Sequence, residues 1–152
     1  MTNEQKRALV LRWAESQLGV MEYPPGSNKQ KYSTWMGHGP EPWCMDSVQW
    51  IFDRAGMPLP VKTSSCTVLA NWERAHGQWV TKDFKRGDII FMHWKKSTFV
   101  EHVGICKENK GTYLVTYEGN TSLANQTNGG AFMERNRSLS VVRGAYRPWY
   151  NM

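Results

Sequence analysis

Cys44 is the residue around which chemistry can be built. It follows Pro42-Trp43 and opens an apolar pattern at helical spacing (Val48, Ile51, Phe52, Ala55) that stops at Gly56, with Pro58 beyond. A cysteine at the first turn of a helix meets unpaired backbone N–H groups and the positive end of the helix dipole. Both favour thiolate over thiol. Such a thiolate is a nucleophile if an imidazole reaches it; otherwise Cys44 is a small buried hydrophobe at a helix start. Four histidines are available: His38, His76, His93 and His102. His38 falls in a Gly-Pro loop and His76 at a helix end. His102 opens a β-branched strand, a rigid mount for a ring. The next strand carries Glu118 and Asn120, two residues apart and therefore on one side of an extended chain. A carboxylate or an amide oxygen there can fix the tautomer and direction of an imidazole. The competing explanation for that pair is a strand end running into a turn. Asp46, in the first turn after Cys44, suits the dipole but puts negative charge near a thiolate.

The elements that must position these residues change character along the chain. Residues 3–19 read as a helix ended by Gly19, and 31–36 as a helical turn. The Cys44 helix follows, then a helix capped by Ser64 or Ser65 that runs to about His76. From Gly87 the pattern is β. Strands are expected at 87–92, 102–106, 112–118, 131–137 and 144–147, with a Lys110-Gly111 hairpin turn and an Asn, Thr and Gly-rich loop over 119–130. Helices first and antiparallel strands second make an α+β fold, with the helices on one face of the sheet. No repeat or linker divides residues 1–152, so one domain is expected.

Composition narrows the function classes. The net charge of +6 points to an anionic partner. The basic residues are scattered in short clusters such as Lys95-Lys96, without aromatic interleaving, which does not suit nucleic acid. Three cysteines without a Cys-x-x-Cys spacing argue against a disulfide framework or a zinc ribbon, and Cys66 and Cys106 read as packed thiols. No cluster of oxygen ligands stands out, so no metal and no cofactor is expected. The first apolar run is too short for a signal peptide, and no window is long enough to insert in a membrane. The 8 tryptophans suggest a groove lined by rings, for which Trp35, Trp43 and Trp94 are the candidates, with core packing as the alternative for Trp43.

Four segments occur in order: Pro42-Trp-Cys-Met-Asp-Ser-Val-Gln-Trp-Ile-Phe52, Gly87-Asp-Ile-Ile-Phe91, His102-Val-Gly-Ile105 and Tyr117-Glu-Gly-Asn-Thr121. Together they resemble the CHAP family, the cysteine, histidine-dependent amidohydrolases/peptidases, related to NlpC-like and papain-like hydrolases. Upstream, Pro25-Gly-Ser-Asn-Lys29 and Tyr32 to Gly37 are similar to CHAP domains of phage endolysins, as is Ser65-Cys-Thr67. The resemblance implies a papain-like α+β fold and a peptidoglycan hydrolase, an N-acetylmuramoyl-L-alanine amidase or a stem or cross-bridge endopeptidase. It implies Cys44 as nucleophile, His102 as base and acid, Glu118 as the third polar residue and Asn120 beside it. Two departures stand out: Asp46 after the nucleophile, and a basic, aromatic segment, His93 to Glu101, before His102. The expectation is a monomeric phage endolysin without a separate wall-binding domain. It is held in the cytoplasm of the infected host until release and drawn to anionic wall polymers. A bacterial wall-remodelling enzyme, an injected amidase toxin and a non-catalytic wall-binding module are the alternatives.

Overall fold

A computed structural model describes residues 1–121, 125, 128–147 and 150. Four helices precede the main strands, as the pattern predicts: α1 (Asn3–Glu15), α2 (Lys31–Trp35), α3 (Cys44–Arg54) and α4 (Cys66–Ala75). Local chemistry fixes their starts. Thr2 and Gln5 form a reciprocal capping box on α1, and Ser65 accepts the Val68 amide at 3.2 Å on α4. α1 ends four residues earlier than the sequence suggests, and residues 16–19 form a turn instead.

Among the described residues six strands follow: β1 (Trp79–Val80), β2 (Ile89–Met92), β3 (His102–Asn109), β4 (Tyr113–Thr121), β5 (Ala131–Ser138) and β6 (Val142–Tyr146). They form one antiparallel sheet in the order β1-β6-β2-β3-β4-β5. β1 is too short to leave a pattern in the sequence. The 119–130 loop lies partly outside the described residues. The Lys110-Gly111 turn is present, closed by the Lys110 amide on the Tyr113 carbonyl at 2.9 Å.

The apolar stripe of α3 packs on β3 and β4. Met45, Val48, Ile51 and Phe52 meet Phe91, Val103, Ile105 and Tyr117 in the main core, while Ile90, Met92, Cys106 and Leu114 belong to a second, smaller cluster. β2 is therefore buried on both faces and reads as a continuous apolar run. Where β4 crosses the start of α3, residue 119 must be glycine, because a Cβ would strike the Ser47 hydroxyl and lie 3.0 Å from the Trp43 ring. Among the described residues no helix is long and apolar enough to cross a membrane.

A buried ion cluster ties the two halves together. Asp88, just after the Gly87 turn, accepts from Arg7 of α1 at 3.1 Å and from Arg147 beyond β6 at 3.0 Å. The Lys85 amide fills its second oxygen at 2.8 Å.

Candidate active site

Cys44 is the first residue of α3, and its N-cap, Trp43, gives the helix no side-chain cap. The first amides of α3 therefore have no side-chain competitor, and Cys44 sits among them at 8% exposure. Its thiol faces the His102 ring at the start of β3. The Nε2 of that ring is 2.8 Å from Glu118 Oε1 on β4. With Nε2 engaged by a carboxylate, Nδ1 is the nitrogen left for Cys44, and among the described residues no other polar atom claims it. Residue 104, within β3, must be glycine to admit Glu118: a Cβ would come within 2.6 Å of Glu118 Cγ.

Glu118 is fully buried and surrounded by donors. Besides His102 it accepts Arg137 Nε at 2.8 Å, Arg137 Nη2 at 2.5 Å and the Thr116 hydroxyl at 2.5 Å. Burial alone would raise this carboxyl, but Arg137 and then His102 outweigh it and hold it at about 2. Burial opposes charge on His102, yet the Cys44 thiolate and the Glu118 carboxylate lift the imidazole to about 9. Cys44 is pushed well below the usual thiol range, first by a hydrogen bond from the Cys66 thiol, against burial, then by His102 and the Met45 amide. The three groups thus favour a thiolate–imidazolium pair backed by a carboxylate.

Cys44, His102 and Glu118 come together as the spacing predicts; Asn120 does not join them. A register shift after Glu118 and a left-handed backbone at Asn120 (φ 57°) break the strand alternation. The Asn120 side chain instead donates to Asn128 at 3.0 Å and accepts the Gly130 amide at 3.1 Å, closing the loop that follows β4.

The tryptophans divide likewise. Trp43 is core, not groove: it is fully buried, stacked on Tyr32 with centroids 5.4 Å apart, and its indole N–H reaches Glu22 at 3.2 Å. Trp35 is half-buried under the Lys62 ammonium. Trp94 is the ring beside the site. Glu101 accepts the Trp94 and Lys95 amides at 2.6 and 2.9 Å and folds the basic segment back. The Trp94 ring then lies 6.2 Å from His102, with the Arg137 guanidinium 5.0 Å from its centroid.

Asp46, fully buried, accepts the Ser64 hydroxyl. Burial raises it to about 6, with Ser64 opposing. Among the described residues His38, Glu41 and Asp46 bring ligand atoms within 4.8 Å of one another, a grouping that the sequence spacing does not reveal. These are the side chains with which the chain could hold a cation. Here His38 Nδ1 lies 2.7 Å from Glu41 and 3.0 Å from the Ser64 hydroxyl.

Sequence reasoning also misses Arg137, Thr116 and Cys66. Thr116 shares alternation with Glu118 and was findable on that ground. Arg137 enters through β4–β5 pairing and Cys66 through the meeting of two helix starts, neither of which leaves a local signal.

An open helix start set against an antiparallel sheet makes an α+β fold. Residues 34–120 match the CHAP domain model, and the chain belongs to that family. Among solved structures it is similar to the wild-type endolysin LysIME-EF1, with 16% identity and a TM-score of 0.57 over 99% of this chain and 66% of that one. It is also similar to a lipoprotein-like NLP/P60 family protein from Staphylococcus aureus subsp. aureus Mu50, with 20% identity and a TM-score of 0.52 over 97% of this chain and 42% of that one. The chain thus spans less than two thirds of either protein, and the likeness is one of fold. No curated protein matches the sequence.

Proposed function

We propose that the protein is a peptidoglycan hydrolase that cleaves an amide bond through a Cys44 thioester. The observation that carries this is Cys44 at the uncapped start of α3, facing a His102 ring whose other nitrogen is bound to Glu118. The family match and the endolysin neighbour supply the substrate class.

The thiolate attacks the amide carbonyl carbon. The oxyanion forms against the backbone amides at the start of α3, those near Cys44 and Met45, and one such donor is worth ~3 kcal/mol in the transition state. The His102 Nδ1–H gives its proton to the leaving nitrogen. The neutral ring then takes one proton from water, whose hydroxide attacks the thioester and releases a carboxylic acid, which ionises in solvent, and the thiolate. Glu118 stays ionised throughout, holding Nε2–H and stabilising the imidazolium. Asn120 shapes the adjoining loop, Trp94 offers its face to substrate beside His102, and Trp35 lies further out. The net charge of +6 favours a wall rich in anionic polymers, and release from an infected cell is the setting we assign.

Purified peptidoglycan incubated with wild type and Cys44→Ala tests this. Wild type should clear the suspension and release new amino groups, and the variant should do neither; equal clearing by both sinks the proposal. Mass spectrometry of the products then assigns the bond: an L-alanine amine marks an amidase, and a stem or bridge amine an endopeptidase.

A further inference from the structure

The proposed hydrolysis leaves Cys66 without a chemical step of its own. It is the first residue of α4, as Cys44 is of α3, and the two sulfurs lie 3.8 Å apart. That is contact between two atoms that carry no disulfide. The approach is built rather than incidental. The segment that delivers Cys66 is tied to α3: Gln49 Nε2 donates to the Val61 and Thr63 carbonyls at 2.7 and 3.2 Å, and the Ser64 hydroxyl donates to Asp46. Ser65 then caps α4 and sets the direction of Cys66. The third cysteine, Cys106, is fully buried in the second apolar cluster, where burial pushes its thiol up to about 12. Cys44 is the opposite case, a thiolate-favouring position with a second thiol against it, the arrangement of a peroxide-reactive cysteine and its resolving partner.

We propose that Cys44 and Cys66 form a peroxide-responsive pair, in which a hydroperoxide oxidises Cys44 and Cys66 closes on it as a reversible disulfide. The Cys44 thiolate attacks one peroxide oxygen and the O–O bond breaks. Cys44 becomes a sulfenic acid, and hydroxide leaves and takes a proton as water. Cys66 sulfur then attacks the Cys44 sulfur and the S–O bond breaks. The departing hydroxide takes the Cys66 proton as a second water. Two sulfur electrons are lost in all and the peroxide is reduced by two. The sulfurs close from 3.8 Å to about 2.05 Å as the bond forms. Without Cys66 the sulfenic acid is open to further, irreversible oxidation. Formation of the bond rests on this geometry alone; its effect on turnover rests on Cys44 being the nucleophile.

The test treats the full chain with one equivalent of hydrogen peroxide, blocks remaining thiols, and reads intact mass and peptide linkage. Wild type should lose two hydrogens, gain no oxygen and yield a linked Cys44–Cys66 peptide. Wall hydrolysis should fall in proportion and return with dithiothreitol. Cys66→Ser and Cys66→Ala, each compared with its own untreated rate, should instead take up oxygen at Cys44, and in excess peroxide should stay inactive after reduction while wild type recovers. Wild type that takes up oxygen at Cys44 as those variants do, or a disulfide that joins Cys106, overturns the proposal without needing any variant to fold. A Cys44–Cys66 bond that leaves hydrolysis unchanged upholds the pair and overturns Cys44 as the nucleophile.

Discussion

Two fully buried carboxylates, Glu118 and Asp88, are each gripped by arginine, and the difference between them separates chemistry from architecture. Asp88 is met by two guanidinium groups and a backbone amide, Arg7, Arg147 and Lys85 N, with contacts of 2.8 to 3.1 Å. Its side-chain partners are permanent cations, and they join α1, the Gly87 turn and the segment after β6. Glu118 has one such cation, Arg137, and one titratable partner, His102. The far nitrogen of that histidine is left open toward a thiol. A charge cluster with every position filled can only hold; one with a titratable member and an open end can move a proton.

Neutralising each carboxylate should pull the two apart most. Glu118→Gln should lower kcat by roughly 10²- to 10⁴-fold, because an amide does not hold the imidazolium as a carboxylate does. Asp88→Asn should destabilise the fold by about 3–5 kcal/mol, since it leaves arginines buried without their counter-charge, with little change in rate per folded molecule. Thermal melts beside active-fraction kinetics read both, and a large rate loss in Asp88→Asn would erase the distinction.

Shortening the forks is gentler. Arg137→Lys keeps a cation but loses the bidentate grip, so kcat should fall about tenfold, or about 1.4 kcal/mol. Arg147→Lys should show its cost in the melting temperature and not in kcat.

Changing pH sharpens the contrast further. Iodoacetamide should alkylate Cys44 readily at neutral pH, where the imidazolium supports the thiolate. The imidazolium is lost as pH rises through about 9, so wall hydrolysis should fall over that range. The linkage signs differ for the two groups. His102, raised from 6.5, contributes stability that is complete below 6.5 and lost as pH rises through about 9. Glu118, lowered from 4.5, contributes stability present above 4.5 and lost as pH falls toward about 2. Urea midpoints measured across pH should show both edges, and Glu118→Gln should lose the acid one.

The smallest effect belongs to the exposed charges. With a net charge of +6, clearing of walls should weaken a few-fold as salt rises, while turnover of a small soluble substrate should not. Salt-independent clearing would remove charge as the reason for wall attraction.

Much of this was legible in the chain because it is local. The helix that opens at Cys44 follows from its apolar period and its Gly56 stop, and the strand of His102 from its β-branched run. The partnership with Glu118 follows from hairpin pairing between adjacent strands. The misses have physical causes. Alternation puts Asn120 beside Glu118, and a register shift and a left-handed backbone undo it. Trp43 was a candidate groove ring, but as the N-cap of α3 its indole is turned into the core against Tyr32.

The sequence by itself determined the helix that opens at Cys44, the hairpin that sets His102 against Glu118 and the α+β order, since each depends on near neighbours or on a β-hairpin. Only the tertiary structure decided what surrounds them. Arg137 reaches Glu118 because β5 pairs with β4, and Cys66 reaches Cys44 because the start of α4 is tied back onto α3. Such contacts bring together residues 19 and 22 positions apart, and no period or spacing in one dimension encodes where two elements cross.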